Sequence, residues 1–121
     1  MELSLLKSKL HEAVVTKAEP KAAGGVVIDA DLMGRVRLLP YERILVNNLS
    51  NGERFESWAV PGPAGSGAVC LTGAAAALGK VGDHLTILAF ALVREDESAS
   101  RRPLMLMLDG QNRPADGLLD P

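Results

Sequence analysis

RILVNNLSNGERFESWAV, residues 43–60, is the stretch that decides the fold class of this chain. Two strand-like runs, residues 43–47 and 54–60, lie on either side of the dipeptide Asn51-Gly52. Asn-Gly between two such runs is the strongest short-range signal for a β-hairpin, because both residue types tolerate the positive φ angles of a tight hairpin turn. The stretch therefore predicts a hairpin and favours a mainly β fold.

Further short strands are predicted on both sides of this hairpin. Residues 84–93, HLTILAFALV, are almost wholly apolar and too few to cross a membrane as a helix, so we interpret them as a buried strand. The other predicted strands are residues 9–17, 25–29, 68–71 and 104–108. Six or seven short strands predict a closed β-barrel, since closure removes exposed strand edges.

Two short helices accompany the predicted strands. Residues 30–39 place apolar side chains on one stripe, with Asp29 or Asp31 as the N-cap. Residues 72–78, TGAAAAL, are rich in alanine, and Thr72 is the expected N-cap. The predicted architecture is thus a β-barrel with short helices.

The length and composition indicate a single domain covering residues 1–121. The chain is 47% apolar and 23% charged, which is ordinary for a globular protein and excludes wholesale disorder. Residues 110–121 offer few side chains to bury, so we expect them to form a loosely ordered tail.

The charge and the residue counts exclude several classes of partner. A net charge of −2 and only four aromatic residues argue against a nucleic-acid partner. One cysteine, Cys70, and two histidines 73 positions apart give no metal-ligand spacing, so no metal is expected. No apolar run reaches the roughly 18 residues that a membrane span requires. A cytoplasmic protein without a membrane partner is the expectation.

The predicted strand at residues 54–60 carries candidate ligand-binding side chains. Arg54, Glu56 and Trp58 share one face of this strand, because side chains alternate along a strand. A guanidinium group can bind a carboxylate through two hydrogen bonds. The alternative is a surface pair of Arg54 with Glu56 beside a half-buried indole.

Two further groups of residues can be interpreted either as parts of a functional site or as ordinary surface residues. Lys9 and His11 are either acid/base groups or solvated charges on a strand edge. The glycine-rich loop at residues 62–67, followed by Thr72-Gly73-Ala74, is either flexible or a cradle whose backbone N–H groups bind a carboxylate or phosphate.

Several longer motifs occur together in a fixed order. The chain resembles the aspartate 1-decarboxylases, small pyruvoyl enzymes that make β-alanine for pantothenate, and the resemblance is clearest over residues 5–109. The motifs that carry it are LLKSKLHEAVVTKAE (5–19), GGVVIDADLM (24–33), NGERF (51–55), GSG (65–67) and TGAAAALGKVGD (72–83).

The resemblance implies a fold, an assembly and a chemistry. It implies a double-psi β-barrel and a homotetramer with active sites between subunits. Members of the family cut themselves at a Gly-Ser bond, and the serine becomes a pyruvoyl group. That carbonyl forms a Schiff base with aspartate and accepts the electrons released when carbon dioxide leaves.

This sequence departs from the family at the cut itself. The Gly-Ser pair aligns with Gly24-Gly25, and glycine has no side-chain oxygen to attack the preceding carbonyl. We therefore expect no self-cleavage and no pyruvoyl cofactor. Ala22 and Trp58 also stand where the family has tyrosines, Thr72 replaces an asparagine and Ser57 replaces a threonine. The residues retained from the family's substrate-binding frame are Lys9, His11, Arg54, Gly73, Ala74 and Ala75.

Three hypotheses for function follow from this mixture. The first is a repurposed enzyme without a cofactor, which binds a larger carboxylate-bearing metabolite and catalyses proton transfer, cyclisation or hydration. Its catalytic residues would be Lys9, His11 and Trp58, and its substrate-binding residues Arg54, Ser57, Thr72, Gly73, Ala74 and Ala75. The second is an aspartate 1-decarboxylase in which Gly25 is an engineered block on processing. The third is a non-enzymatic regulatory homologue.

Overall fold

A computed structural model gives the backbone of residues 1–119 and the side chains of residues 1–115. Within residues 1–119, nine strands form one sheet in the order β2-β6-β3-β5-β4-β7-β1-β8-β9. The strands are β1 (Glu2–Val14), β2 (Lys17–Glu19), β3 (Gly25–Asp29), β4 (Arg43–Asn48), β5 (Arg54–Gly62), β6 (Val69–Thr72), β7 (His84–Arg94), β8 (Leu104–Leu108) and β9 (Pro114–Leu119). The one α-helix of this range, α1, is Ala30–Arg35, and two 3₁₀ turns are Gly73–Ala77 and Glu95–Ser100. The fold is mainly β, as predicted, and is compatible with a double-psi β-barrel.

The centre of the sheet is antiparallel, and parallel pairs lie outside it. β7 pairs antiparallel with β1 on one side and β4 on the other, and β4 pairs antiparallel with β5. The parallel pairs are β1 with β8, β2 with β6, and β3 with β5. The inward side chains form one core, in which the fully buried residues include Leu10, Val26, Ile28, Val46 and Ile87.

The predicted hairpin is confirmed, and a buried amide explains its loop. Asn47 pairs with Arg54 across β4 and β5. The side-chain oxygen of Asn48 accepts hydrogen bonds from the backbone N–H groups of Ser50 and Asn51 (2.9 and 3.3 Å). Its amide nitrogen donates to Asp83 at 2.9 Å. Asn48 thus folds the loop and fastens it to the start of β7.

The first helix is shorter than predicted. Asp29 caps it, as expected, by accepting a hydrogen bond from the backbone N–H of Asp31 at 2.9 Å. The helix ends at Arg35 and not at the predicted residue 39, because Arg37 has a φ of 55° and turns the chain away. No helix within residues 1–119 has the length and apolar character needed to cross a membrane.

Asp29 also binds the glycine-rich loop. Its carboxylate accepts hydrogen bonds from the backbone N–H groups of Gly65 (2.9 Å) and Gly67 (2.8 Å). Burial raises the pKa of Asp29, but the hydrogen bonds donated by the backbone, first of all by Gly67 and Gly65, outweigh it and hold the pKa below its ordinary value. The loop predicted as flexible is therefore fixed to the N-terminus of α1.

The strand predicted for residues 84–93 is confirmed, but it is buried only in part. In its second half Val93 is buried, whereas Phe90 and Leu92 are 45% and 70% exposed on the outer face. The expected loosely ordered tail contains β9, which pairs antiparallel with β8. It is anchored by the buried Asn112, whose amide bonds the backbone N–H and carbonyl of Val14 and the carbonyl of Gly67. Residues 120–121 of that predicted tail lie outside the described residues.

Candidate functional site

A small cleft lies where the start of β3 meets β5 and the end of β6. Its volume is about 150 Å³. Seven of the residues predicted for the site line it: Gly24, Gly25, Ser57, Trp58, Thr72, Ala74 and Ala75. Phe55, Glu56 and Leu78 complete the wall. The structure therefore brings together residues that are up to 51 positions apart in the sequence, from Gly24 to Ala75.

The indole of Trp58 lies against the two glycines of this cleft. A Cβ atom placed on Gly25 would lie 2.7 Å from Nε1 of Trp58 and 2.9 Å from Cγ2 of Val60, both shorter than any normal contact. A Cβ atom on Gly24 would lie 3.2 Å from Cζ2 of Trp58. The φ angles of Gly24 and Gly25 are 112° and 97°, a region that other residues rarely adopt. Position 25 thus has neither the space nor the backbone conformation for a side chain.

The side chain of Thr72 makes a hydrogen bond within the cleft and does not cap the 3₁₀ turn Gly73–Ala77. Its hydroxyl donates to the carbonyl of Gly25 at 2.7 Å, so the predicted N-cap hydrogen bond is not made. Gly73 has a φ of 62°, and a Cβ atom there would lie 2.9 Å from Cα of Gly24. The start of the turn Gly73–Ala77 therefore packs directly against Gly24, which leaves no room for a side chain at position 73.

Lys9, His11 and Arg54 are not in the cleft. His11 pairs with Thr86 of β7, Thr86 with Asn47 of β4, and Asn47 with Arg54 of β5. Directly paired residues project from the same side of an antiparallel sheet, so His11 and Arg54 share the outer face, three strand spacings or about 14 Å apart. Along β5, Arg54 precedes Trp58 by four residues, about 13 Å.

The expected pair of Arg54 with Glu56 is wrong. Glu56 pairs instead with Arg43, its neighbour on β4. Among the side chains of residues 1–115, no carboxylate lies within 4.0 Å of Arg54. The side chain of Arg54 is exposed, and a guanidinium without a carboxylate partner among these residues can bind an anion.

A cluster that the sequence did not reveal joins the two histidines. The carboxylate of Glu12 lies 2.6 Å from Nδ1 of His84 and 4.0 Å from Nε2 of His11. Glu12 is the extra residue of a β-bulge between the pairs of His11 with Thr86 and Ala13 with Leu85. A bulge of this kind leaves no reliable mark in the sequence, which is why the distance of 73 positions suggested two separate residues. No group of three or more metal-ligating side chains is arranged to hold a metal ion in the part of the chain that the structure describes.

The cleft does not fit a pyruvoyl group. A pyruvoyl group would have to form from a side-chain oxygen at position 25, where this chain has glycine and where the indole of Trp58 fills the space. The hydroxyl of Thr72 is already bonded to the carbonyl of Gly25. The free thiol, Cys70, lies on β6 and its pKa is raised by burial. Position 25 itself therefore supplies no oxygen or sulfur atom for that chemistry.

The fold and the cleft define a small mainly β protein with a cleft built around the glycine pair Gly24-Gly25. The model of the aspartate decarboxylase family matches residues 1–115. The chain is 47% identical over 114 residues to an aspartate 1-decarboxylase of Syntrophobacter fumaroxidans, covering 94% of this chain and 92% of the relative. It is 43% identical over 109 residues to an aspartate 1-decarboxylase of Dehalococcoides mccartyi, covering 90% and 88%. This chain belongs to the aspartate decarboxylase family.

Proposed function

We propose that this family member stays uncut, carries no pyruvoyl group, and binds and converts a carboxylate-bearing small molecule without a cofactor. The observation that carries the proposal is the contact of Trp58 with Gly24 and Gly25, which occupies the space of the missing side chain. Loss of one hydroxyl group alone would leave an empty space at position 25. In this chain the indole of Trp58 fills that space, which supports a site adapted to work without the covalent group.

The site as proposed needs a second copy of the chain. Arg54 lies about 13 Å along β5 from Trp58 of the cleft, and His11 lies on the same outer face about 14 Å from Arg54, with Lys9 two residues before it on β1. A partner copy packed on this face would bring such charges to the cleft, and the exposed Phe90 and Leu92 give that face an apolar area to bury. A homotetramer with sites between subunits is the assembly that we propose.

Each residue has a role in this scheme. Arg54 binds the carboxylate of the ligand, and the hydroxyl of Ser57 with the turn Gly73–Ala77 forms the floor. Trp58 sets the shape of the cleft, because an indole is a hydrogen-bond donor and not an acid. Lys9 and His11 supply acid or base groups for proton transfer, cyclisation or hydration.

Intact-mass measurement tests the first half of this proposal. The expected result is one chain with the full mass, and two fragments divided between residues 24 and 25 would overturn it. Analytical ultracentrifugation of the same sample tests the assembly, where a tetramer is expected and a monomer contradicts it.

Ligand-observed NMR with carboxylates of increasing size, from L-aspartate to 4-phenylbutyrate, tests the second half. We expect binding of at least one carboxylate, weakened about tenfold or more by Arg54→Gln, since a hydrogen bond to a charged group contributes about 1.5–3 kcal/mol. Arg43→Gln is the matched control, because Arg43 lies on the same face and is already paired with Glu56. Equal binding by Arg54→Gln and the parent would contradict the role of Arg54.

A second candidate function is aspartate 1-decarboxylation, which the names of the relatives favour at 38–47% identity. If this candidate is right, the purified protein converts L-aspartate to β-alanine. Product formation by the uncut chain would favour this candidate and refute the loss of activity. Product from a cut chain would refute the proposal as a whole.

A further inference from the structure

Glu12 has a strained backbone conformation, and its carboxylate lies between the imidazole rings of His11 and His84. Its φ of 64° lies in the left-handed region, which non-glycine residues adopt at a cost. In a regular strand Glu12 would point away from His11. The bulge instead brings its carboxylate to the side on which His11 and His84 lie. Strained residues of this kind cluster at functional sites, so the conformation of Glu12 points to a functional role.

The contacts of the cluster assign the proton of the His84 ring. A carboxylate can only accept hydrogen bonds, and the ring of a neutral histidine has one donor and one acceptor nitrogen. Nδ1 of His84 lies 2.6 Å from Glu12 and therefore carries the proton of that ring. Nε2 of His11 faces Glu12 at 4.0 Å, and Nδ1 of His11 lies 3.2 Å from the hydroxyl of Thr86. The distance of 4.0 Å between Nε2 of His11 and Glu12 is too long for a hydrogen bond, so Glu12 fixes the tautomer of His84 and not that of His11.

We infer that Glu12 is a positioning residue that joins His11 and His84 into one unit, and that the free ring nitrogen of this unit is Nε2 of His84. The His84 side chain is 46% exposed, against 29% for His11, so this nitrogen is open to a ligand or to solvent. When Nε2 of His84 accepts a proton, the ring becomes an imidazolium and keeps its Nδ1 proton on Glu12. His11 lies in the same unit, with its Nδ1 in contact with the hydroxyl of Thr86 at 3.2 Å.

The inference rests on the proposed function only in treating His11 as an acid/base residue. It adds Glu12 and His84 to the site and moves the proton-accepting role from His11 to His84. The arrangement of a carboxylate that fixes the tautomer of an imidazole is the same one that orients histidines in metal and catalytic sites.

Nitrogen-15 NMR of the histidine rings tests the inference without a ligand. The chain has two histidines, so the spectrum of His84→Gln assigns both. When both rings are neutral, we expect His84 as the Nδ1–H tautomer, because its Nδ1 donates to the carboxylate of Glu12. The Nε2–H tautomer for His84 in the parent protein would overturn the inference, whether or not any variant folds.

Three variants separate positioning from structure. Glu12→Gly accepts the same φ without strain, so the bulge is retained, and His84 is expected to lose its preference for Nδ1–H. Thr86→Val should change the signals of His11 and leave those of His84 unaltered. Glu2→Gln, an exposed carboxylate on the same strand, is the control and should change neither ring. Unaltered His84 signals in a folded Glu12→Gly protein would show that Glu12 has a structural role alone. The intact mass and the carboxylate binding are measured separately, so this inference and the proposed function fail on different results.

Discussion

The contact between Gly25 and Trp58 predicts that serine at position 25 destabilises this protein. A side chain at a φ of 97° costs about 1–3 kcal/mol as backbone strain. Its Cβ would lie 2.7 Å from the indole nitrogen and 2.9 Å from Val60, and overpacking of this kind costs about a further 1–3 kcal/mol. Gly25→Ser should therefore lower the free energy of unfolding by about 4 kcal/mol, a large part of the about 5–15 kcal/mol that holds a domain folded.

Urea denaturation and thermal melting of the variants measure this loss. For a domain of this size the melting temperature should fall by about 10–20 °C. Gly34→Ser is the matched control, because Gly34 has open space around its Cβ position and no positive φ, and it should change stability by less than about 1 kcal/mol.

The double variant Gly25→Ser/Trp58→Ala identifies the cause. Removing the indole removes the closest contact, so the two substitutions should couple favourably by about 1 kcal/mol or more. Strain at φ would remain. The reasoning is refuted if Gly25→Ser is as stable as the parent, or if the two single effects simply add.

Three other predictions concern groups that hold the site in place. The pKa of Asp29 is lowered in the folded state, so its ionised carboxylate stabilises the protein at pH values above the ordinary aspartate pKa. This contribution is lost as the pH falls through the pKa of the folded state. The melting temperature should therefore fall more steeply between pH 6 and pH 2 for the parent than for Asp29→Asn. Asn112→Ala leaves the backbone N–H of Val14 without its partner and should cost about 2–3 kcal/mol in urea denaturation, whereas a loss below about 0.5 kcal/mol would contradict the anchoring role. Thr72→Val keeps the shape but loses the hydrogen bond to the carbonyl of Gly25, so stability should fall by about 1–2 kcal/mol while Thr72→Ser retains most of it.

The sequence predicted the parts of the fold that depend on neighbouring residues. The hairpin at Asn51-Gly52, the strand Gly25–Asp29 and the cap at Asp29 were readable because turn and cap chemistry is local. The end of α1 was not, because the positive φ of Arg37 depends on how the chain crosses the core. The tail was misjudged for a similar reason. Asn112 is buried by contacts with Val14 and Gly67, which are 98 and 45 positions away.

The residues of the candidate site also divide into those that the sequence could predict and those that it could not. The resemblance to the family pointed to Gly25, Trp58 and Thr72, and the structure places all three around one cleft. No rule of sequence placed the indole of Trp58 on the glycine pair, since that contact joins two strands paired in parallel. The role of Glu12 was missed because it comes from an inserted bulge residue, whose effect on side-chain direction is set by the pairing of β1 with β7.

The pairing of β1 also determines when the molecule can fold during its synthesis. β1, residues Glu2–Val14, has its partners at His84–Arg94 and Leu104–Leu108, so the first strand made must wait for the last third of the chain. Closing loops of that length is slow, and an unpaired strand of thirteen residues exposes its edge to other chains in the meantime. The sheet around β1 is therefore completed only after β8 has been made, and a nascent chain that stalls before residue 84 presents β1 without either of these partners.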